Sequence, residues 1–281
     1  MHNVTLRRVS LEDIVNLDYK GVAEALSAFV QSIVESAGVK GVVVGVSGGV
    51  DSATTLALSV KALGPQRVLA LIMPDSDVTP IQDVEDAKKL VEMFGVNHKT
   101  IDIKPIIERY VEEANIKPNR RSLGNLRARV RMTLLYLYAN MHNLLVAGTG
   151  DRSEILIGYF TKYGDSAVDF LPIGSLYKTQ VRRLALHLGI PENIALKPSS
   201  PRLWPGHLAE RELGMSYEEV DLALYALFDL GLNIEEAVEA TGLPREKVEK
   251  VLMMHKASEH KRRMPPAPDP SDTVWRFKKS R

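Results

Sequence analysis

Three glycines, two serines and one aspartate crowd into Gly45-Val46-Ser47-Gly48-Gly49-Val50-Asp51-Ser52, the stretch of this chain best equipped to hold phosphate. The run follows Val42-Val43-Val44 and leads into an alanine- and leucine-rich stretch, 53–63. Strand, glycine turn and helix in that order line up backbone N–H groups at a helix N-terminus, where the dipole favours negative charge. Ser47 and Ser52 add hydroxyl donors, and Gly48 and Gly49 let the backbone approach an anion closely. A Walker A loop would carry a lysine here; Asp51 stands among the donors instead. A carboxylate repels a polyphosphate unless a dication lies between them, so Asp51 reads as a Mg²⁺ ligand. The plainer reading is a serine/glycine turn that caps a helix, but the flanking strand and helix favour phosphate.

A second group lies downstream. Glu154 follows Gly148-Thr149-Gly150-Asp151 at the end of the apolar run 144–147, where it could share a metal with Asp51 or simply complement a helix dipole. In Gly124-Asn125-Leu126-Arg127-Ala128-Arg129-Val130-Arg131, which reads as the start of a long apolar helix, Arg127 and Arg131 share a face and Arg129 points the other way. Either face could serve ion pairs or an anionic ligand. The span 159–178 packs Lys162, Lys178, Asp165, Asp169 and several aromatics into turn-rich sequence suited to an anionic, aromatic ligand. His260-Lys261-Arg262-Arg263 is the strongest basic run, a solvated helix end or a clamp on phosphate.

The elements that must hold these groups read as an α/β fold. Runs 42–46, 68–73, 100–103 and 144–147 suit buried strands of a doubly wound parallel sheet flanked by helices. Thr79-Pro80 starts a helix whose apolar face is Ile81, Val84, Leu90, Val91 and Phe94, closed by Gly95. Ligands bind at the carboxyl ends of such strands, where both candidate loops fall. From about Pro205 short amphipathic helices take over, with capping boxes at Ser216/Glu219 and Asn233/Glu236. The expected division is 1–204 as the α/β domain with an N-terminal helix, and 205–281 as a helical section packed on it, ending in a proline-rich stretch, 265–270.

Composition narrows the function classes. With 45 % hydrophobic and 25 % charged residues and a net charge of +1, the 281-residue chain gives no reason to expect nucleic acid or an anionic membrane as partner. A helix–turn–helix cadence surrounds Gly242, but Glu246 and Glu249 balance Arg245, Lys247 and Lys250. Cys is absent, which excludes disulfides, thiolate metal sites and cysteine nucleophiles. Residues 1–18 lack a signal-peptide core, so the cytoplasm is the expected compartment.

Taken in order, these segments carry a resemblance. S-G-G-x-D-S is the signature of the ATP pyrophosphatase loop, whose enzymes cleave ATP between its α- and β-phosphates. With G-N-x-x-A-R-x-R-M, G-T-x-x-x-x-E, F-T-K-Y-G-D, P-I-x-x-L-x-K, L-W-P-G, E-L-G-x-x-Y-E-E and H-K-R, the chain after about residue 20 resembles the ammonia-dependent NAD synthetase family. The resemblance implies amidation of deamido-NAD by ammonia with ATP, through an adenylated carboxylate, giving NAD, AMP and pyrophosphate. It implies ATP contacts at Gly45, Val46, Ser47, Gly48, Gly49, Val50, Asp51, Ser52, Met73, Thr149, Lys178 and Ser200. Mg²⁺ would sit on Asp51 and Glu154, with Lys178 joining them in catalysis. Deamido-NAD would meet Arg129, Lys162, Asp169, His260 and Lys261, near the interface of a homodimer. Against the family pattern, 203–212 is less acidic, and Ser200 stands where Thr is common. The competing expectation is another pyrophosphatase-loop amidotransferase, such as the synthetase domain of a GMP synthetase. The match leaves no stretch for a glutaminase.

Overall fold

A computed structural model describes residues 7–269. Its centre is four parallel strands, β1 (Gly41–Gly45), β2 (Val68–Ile72), β3 (Asn97–Thr100) and β4 (Leu144–Ala147), in the order β3-β2-β1-β4. The chain steps outward from β1 to β3 and then returns to place β4 on the other side of β1. That reversal creates a switch point between β1 and β4, where open α/β sheets bind ligands. Phe170 extends this edge through a bridge to Ala147.

Both faces of the sheet are covered, and the period-2 alternation of β1 divides its valines between them. Val42 and Val44 enter a core with α2 (Tyr19–Ala37), α3 (Val50–Leu63), α4 (Ile81–Met93), α8 (Lys178–His187) and α9 (Glu192–Ala195). Val43 enters a second core with α5 (Lys104–Ala114) and α6 (Arg120–His142). A third cluster gathers α10 (Ala209–Leu213), α11 (Tyr217–Leu224), α12 (Ile234–Thr241) and α13 (Arg245–Ala257), together with Ile14 and Val15 of α1 (Leu11–Val15) and Ile157 of α7 (Arg152–Ile157). The capping boxes at Ser216/Glu219 and Asn233/Glu236 are formed. After α14 (Glu259–Arg262) the chain up to Asp269 has no regular structure; the expected proline-rich stretch ends outside the described residues, as do residues 1–6.

Four expectations are corrected. The third strand is Asn97–Thr100, not 100–103: it is a fully exposed edge strand, so backbone pairing and not apolarity defines it. Ile103 comes after it and is buried beneath α5. Ile81, placed on the buried face of α4, is 73 % exposed, while Asp83 in the same turn is the residue that faces inward. The long helix starts at Arg120, not at Gly124, since Asn119 caps it by accepting Ser122 N–H at 2.9 Å. Nor is that helix enclosed all round: Leu137 and Met141 lie open at 51 % and 70 %.

Candidate active site

The glycine turn after β1 behaves as a braced cradle. Gly49 is the N-cap of α3, and the first-turn N–H groups of Val50, Asp51 and Ser52 have no carbonyl four residues back within the helix. Ser52, expected to donate to phosphate, instead ties the turn together. It is buried; its Oγ accepts Ser47 N–H at 3.1 Å and its hydroxyl donates to Gly49 O at 3.0 Å. Ser47, by contrast, is exposed. Gly48 is required for a reason other than an anion: its φ is +78°, and a Cβ there would lie 2.2 Å from Asp83 O. The cradle therefore rests on the start of α4. Lys197 clamps that contact, donating to Gly48 O at 3.0 Å and to Asp83 Oδ1 at 3.1 Å, with Asp86 as a further acceptor at 2.5 Å. Arg202 donates to the other Asp83 oxygen at 2.6 Å.

Across the switch point, Asp51 on α3 meets the loop after β4 and the first residue of α8. Lys178 Nζ, with no solvent exposure, donates to Asp51 Oδ2 at 2.6 Å and to Glu154 Oε1 at 3.0 Å. Asp151 Oδ2 lies 2.8 Å from the same nitrogen, outside hydrogen-bonding direction. Burial alone would push the Lys178 ammonium down; Asp151, Asp51 and Glu154 outweigh it and hold its pKa well above the ordinary value. Burial, reinforced by the neighbouring carboxylates, raises Asp151 and raises Glu154 strongly. One cation thus faces three carboxylates, an excess of negative charge in a site with little water.

That excess suits a dication. One oxygen from each of Asp51, Asp151 and Glu154 lies within 4.8 Å of the others. Asp51 Oδ1 and Asp151 Oδ2 are buried and accept no hydrogen bond among the described residues. Hard oxygen donors in this arrangement fit Mg²⁺. Asp151 was missed in the sequence, although its place at the carboxyl end of β4 was the available signal. Its other oxygen caps α7 by accepting Glu154 N–H at 2.8 Å.

The remaining expected site residues divide. Met73 follows β2 directly, with its side chain beside Gly45, and its carbonyl accepts from Arg131 at 2.9 Å. Thr149 lies in the loop between β4 and Asp151. Ser200 spends its hydroxyl inside its own segment, donating to His207 O. Arg127 is buried on Asp75 at 2.6 Å and also reaches Leu203 O, so it and Arg131 hold structure, while Arg129 is the exposed arginine. Arg129 donates to Lys162 O at 3.2 Å, and Lys261 donates to Gly158 O and Phe160 O, each at 2.7 Å. These three therefore border the 158–165 segment. Asp169 lies beside α6, accepting from Tyr136 at 3.2 Å and from Val146 N–H at 2.7 Å. His260 is exposed on α14.

A parallel α/β sheet with a lysine-free S-G-G-x-D-S cradle at its switch point defines the pyrophosphatase-loop class of nucleotide-binding folds. Within that class the match is specific: a family model described as NAD synthase fits residues 22–265, and the chain belongs to that family. An NH(3)-dependent NAD(+) synthetase of Hyperthermus butylicus is 70 % identical, with 97 % of this chain and 99 % of that one covered. Its counterpart in Aeropyrum pernix is 55 % identical, covering 96 % of each chain. Among solved structures, an NH3-dependent NAD synthetase from Campylobacter jejuni is 32 % identical with a TM-score of 0.77, covering 90 % of this chain and 100 % of that one. An NMN synthetase from Francisella tularensis is 34 % identical with a TM-score of 0.80, covering 90 % and 99 %.

Proposed function

We propose that this chain amidates deamido-NAD with ammonia and ATP, and that the cluster of Asp51, Asp151, Glu154 and Lys178 is where ATP is opened. The observation that carries the site assignment is the buried ammonium of Lys178 set among three carboxylates at the mouth of the glycine cradle. Carboxylates are poor electrophiles because oxide is a poor leaving group; transfer of AMP to the nicotinate carboxylate replaces it with a good one. The carboxylate oxygen attacks the α-phosphorus, the bond to the bridging oxygen breaks, and pyrophosphate departs towards the N–H groups of the cradle. Mg²⁺ held by Asp51 and Glu154, with Asp151 beside them, would neutralise the charge that builds on the phosphates. Lys178, set among the same carboxylates, adds its positive charge to the same task. Ammonia then attacks the acyl carbon and AMP leaves. No protein nucleophile takes part, so positioning and charge supply the acceleration.

Arg129, Lys162 and Lys261, grouped about the 158–165 segment, are the side chains we assign to deamido-NAD, with Asp169 and His260 at its margins. Thr149, Met73 and Ser200 are assigned to ATP, Ser200 after giving up its bond to His207. The open apolar stripe of Leu137 and Met141 on α6 is the face on which we pair two copies, in the cytoplasm. We treat 1–204 and 205–281 as two parts of one unit, because α1 sits in the core of the later part.

The test is product stoichiometry. Purified protein supplied with deamido-NAD, ammonium, ATP and Mg²⁺ is expected to release NAD, AMP and pyrophosphate in equal amounts, and Asp51→Asn is expected to lower turnover by at least about 10³-fold while remaining folded. The likeness to the Francisella NMN synthetase makes nicotinate mononucleotide the substrate to offer in competition, with XMP as a third. Turnover of either one with none of deamido-NAD would overturn the assignment. An unchanged rate and Mg²⁺ dependence in Asp51→Asn would remove that residue from its role.

A further inference from the structure

Lys178 is the first residue of α8, and what fixes its backbone is a side chain from a distant helix. Its N–H donates to Ser153 Oγ at 2.9 Å, and the next N–H, of Thr179, donates to Asp221 Oδ2 at 2.9 Å. The circuit closes when the Ser153 hydroxyl donates to Asp221 Oδ1 at 2.5 Å. Ser153 and Asp221 are wholly buried and Thr179 nearly so. One carboxylate on α11 therefore satisfies the start of α8, which carries Lys178, and holds the residue immediately before Glu154 on α7. One helical turn earlier on the same face of α11, the buried ring of Tyr217 lies with its centroid 5.0 Å from Lys178 Nζ.

We propose that Asp221 is a positioning residue for the adenylation step: through Ser153 and Thr179 it sets the separation of Lys178 and Glu154. It touches neither substrate nor metal. A lysine side chain is long and rotamer-rich, so a buried ammonium keeps its place only if its Cα and the walls around it are held. Without Asp221 the Thr179 N–H would lose its acceptor, and Ser153, which accepts the Lys178 N–H, would lose the partner that orients its hydroxyl; in a region closed to water the first turn of α8 would shift to compensate. A displacement of about 1 Å between charged groups and a reacting phosphate costs on the order of 10²-fold in rate. Nothing in the local sequence flags Asp221, because it lies mid-helix in Tyr217-Glu218-Glu219-Val220-Asp221, 43 residues beyond the lysine it serves.

The inference rests on the role given to Lys178 above, and the experiment separates the two. Asp221→Ala and Asp221→Asn are made in the full chain, alone and in a Lys178→Arg background. For each, kcat and KM for ATP and deamido-NAD are measured by release of radiolabelled AMP, alongside thermal unfolding. Asp221→Ala is expected to lower kcat about 10²-fold, with KM for deamido-NAD within about threefold of wild type. Asp221→Asn, which keeps one acceptor oxygen for Thr179, should lose about tenfold, and it carries the comparison if the alanine variant does not fold. In the Lys178→Arg background either change should add less than about threefold, because residues acting as one unit are not additive. Full multiplication of the two effects, or a rise in KM with kcat intact, would make Asp221 a structural brick and end the proposal. A wild-type rate in Lys178→Arg alone would instead defeat the reading of Lys178, and the inference with it.

Discussion

Adjacent glycines in the cradle are expected to respond in opposite ways to the same methyl group. At Gly48 the substitution to Ala places a carbon 2.2 Å from Asp83 O and 3.1 Å from the carbon of that carbonyl, at a φ of +78°. The left-handed conformation costs a residue with a Cβ about 1–2 kcal/mol. Relieving the overlap adds about 1–3 kcal/mol, because something near 1 Å must give in packed surroundings. The start of α4 cannot retreat cheaply, since Lys197 and Arg202 both hold Asp83. The turn itself must move, and with it the N–H groups proposed to receive phosphate. Gly49 differs: its φ and ψ are −100° and 164°, and a Cβ would meet only Ser47 Oγ, at 3.5 Å. Alanine there is neutral or stabilising by about 0.4–1 kcal/mol. Gly48→Ala is therefore expected to lower Tm by about 3–9 °C and kcat/KM for ATP by about 10²-fold. Gly49→Ala should keep its Tm and lose only ATP affinity, to the extent that phosphate rests on that residue. Scanning calorimetry with ATP-dependent steady-state rates reads both. A Gly48→Ala protein with wild-type Tm and kcat/KM would refute the claim that the cradle is seated on α4.

Two further outcomes follow from other parts of the molecule. His207 is buried, stacked on Trp204 with ring centroids 3.5 Å apart, and its Nε2 lies 2.7 Å from Glu212; burial depresses its pKa below the ordinary 6.5 despite that carboxylate. The unfolded segment then takes up the proton more readily than the folded one, so its order is full above pH 6.5 and declines as pH falls through the depressed value. Protection factors in 199–209, taken against intrinsic exchange rates at each pH, should fall on acidification, and His207→Gln should flatten that dependence; protection indifferent to pH in the unsubstituted protein would contradict it. Separately, the proposed pairing through α6 requires that the chain sediment as a dimer at micromolar concentration and that Leu137→Asp with Met141→Asp sediment as a monomer. A monomeric wild type, or a variant that sediments like the wild type, would overturn that pairing.

Much of the sheet could be read directly, because β1, β2 and β4 are continuous apolar runs, as strands buried on both faces must be. Asn97–Thr100 could not, because an edge strand with both faces wet pairs through its backbone and shows no apolar run. The glycine cradle was legible as a motif, yet the duties of its members were not. Ser52 and Gly48 looked outward in the sequence and turn inward in the fold, since a motif records which residues are needed and not which neighbour needs them. Asp51, Glu154 and Lys178 were grouped in the sequence by resemblance, and in the fold they meet at one point. Asp151, Lys197, Asp83 and Asp221 escaped, because what makes each of them matter is a contact made across more than 20 residues of chain or a burial that composition does not reveal.

Asp83 gives one oxygen to Lys197, which grips the cradle, and the other to Arg202, which belongs to the segment running past Trp204. Cradle and Trp204 segment are thereby tied to a single carboxylate, so a substitution at Asp83 would take a partner from both cations at once and loosen two stretches of chain together.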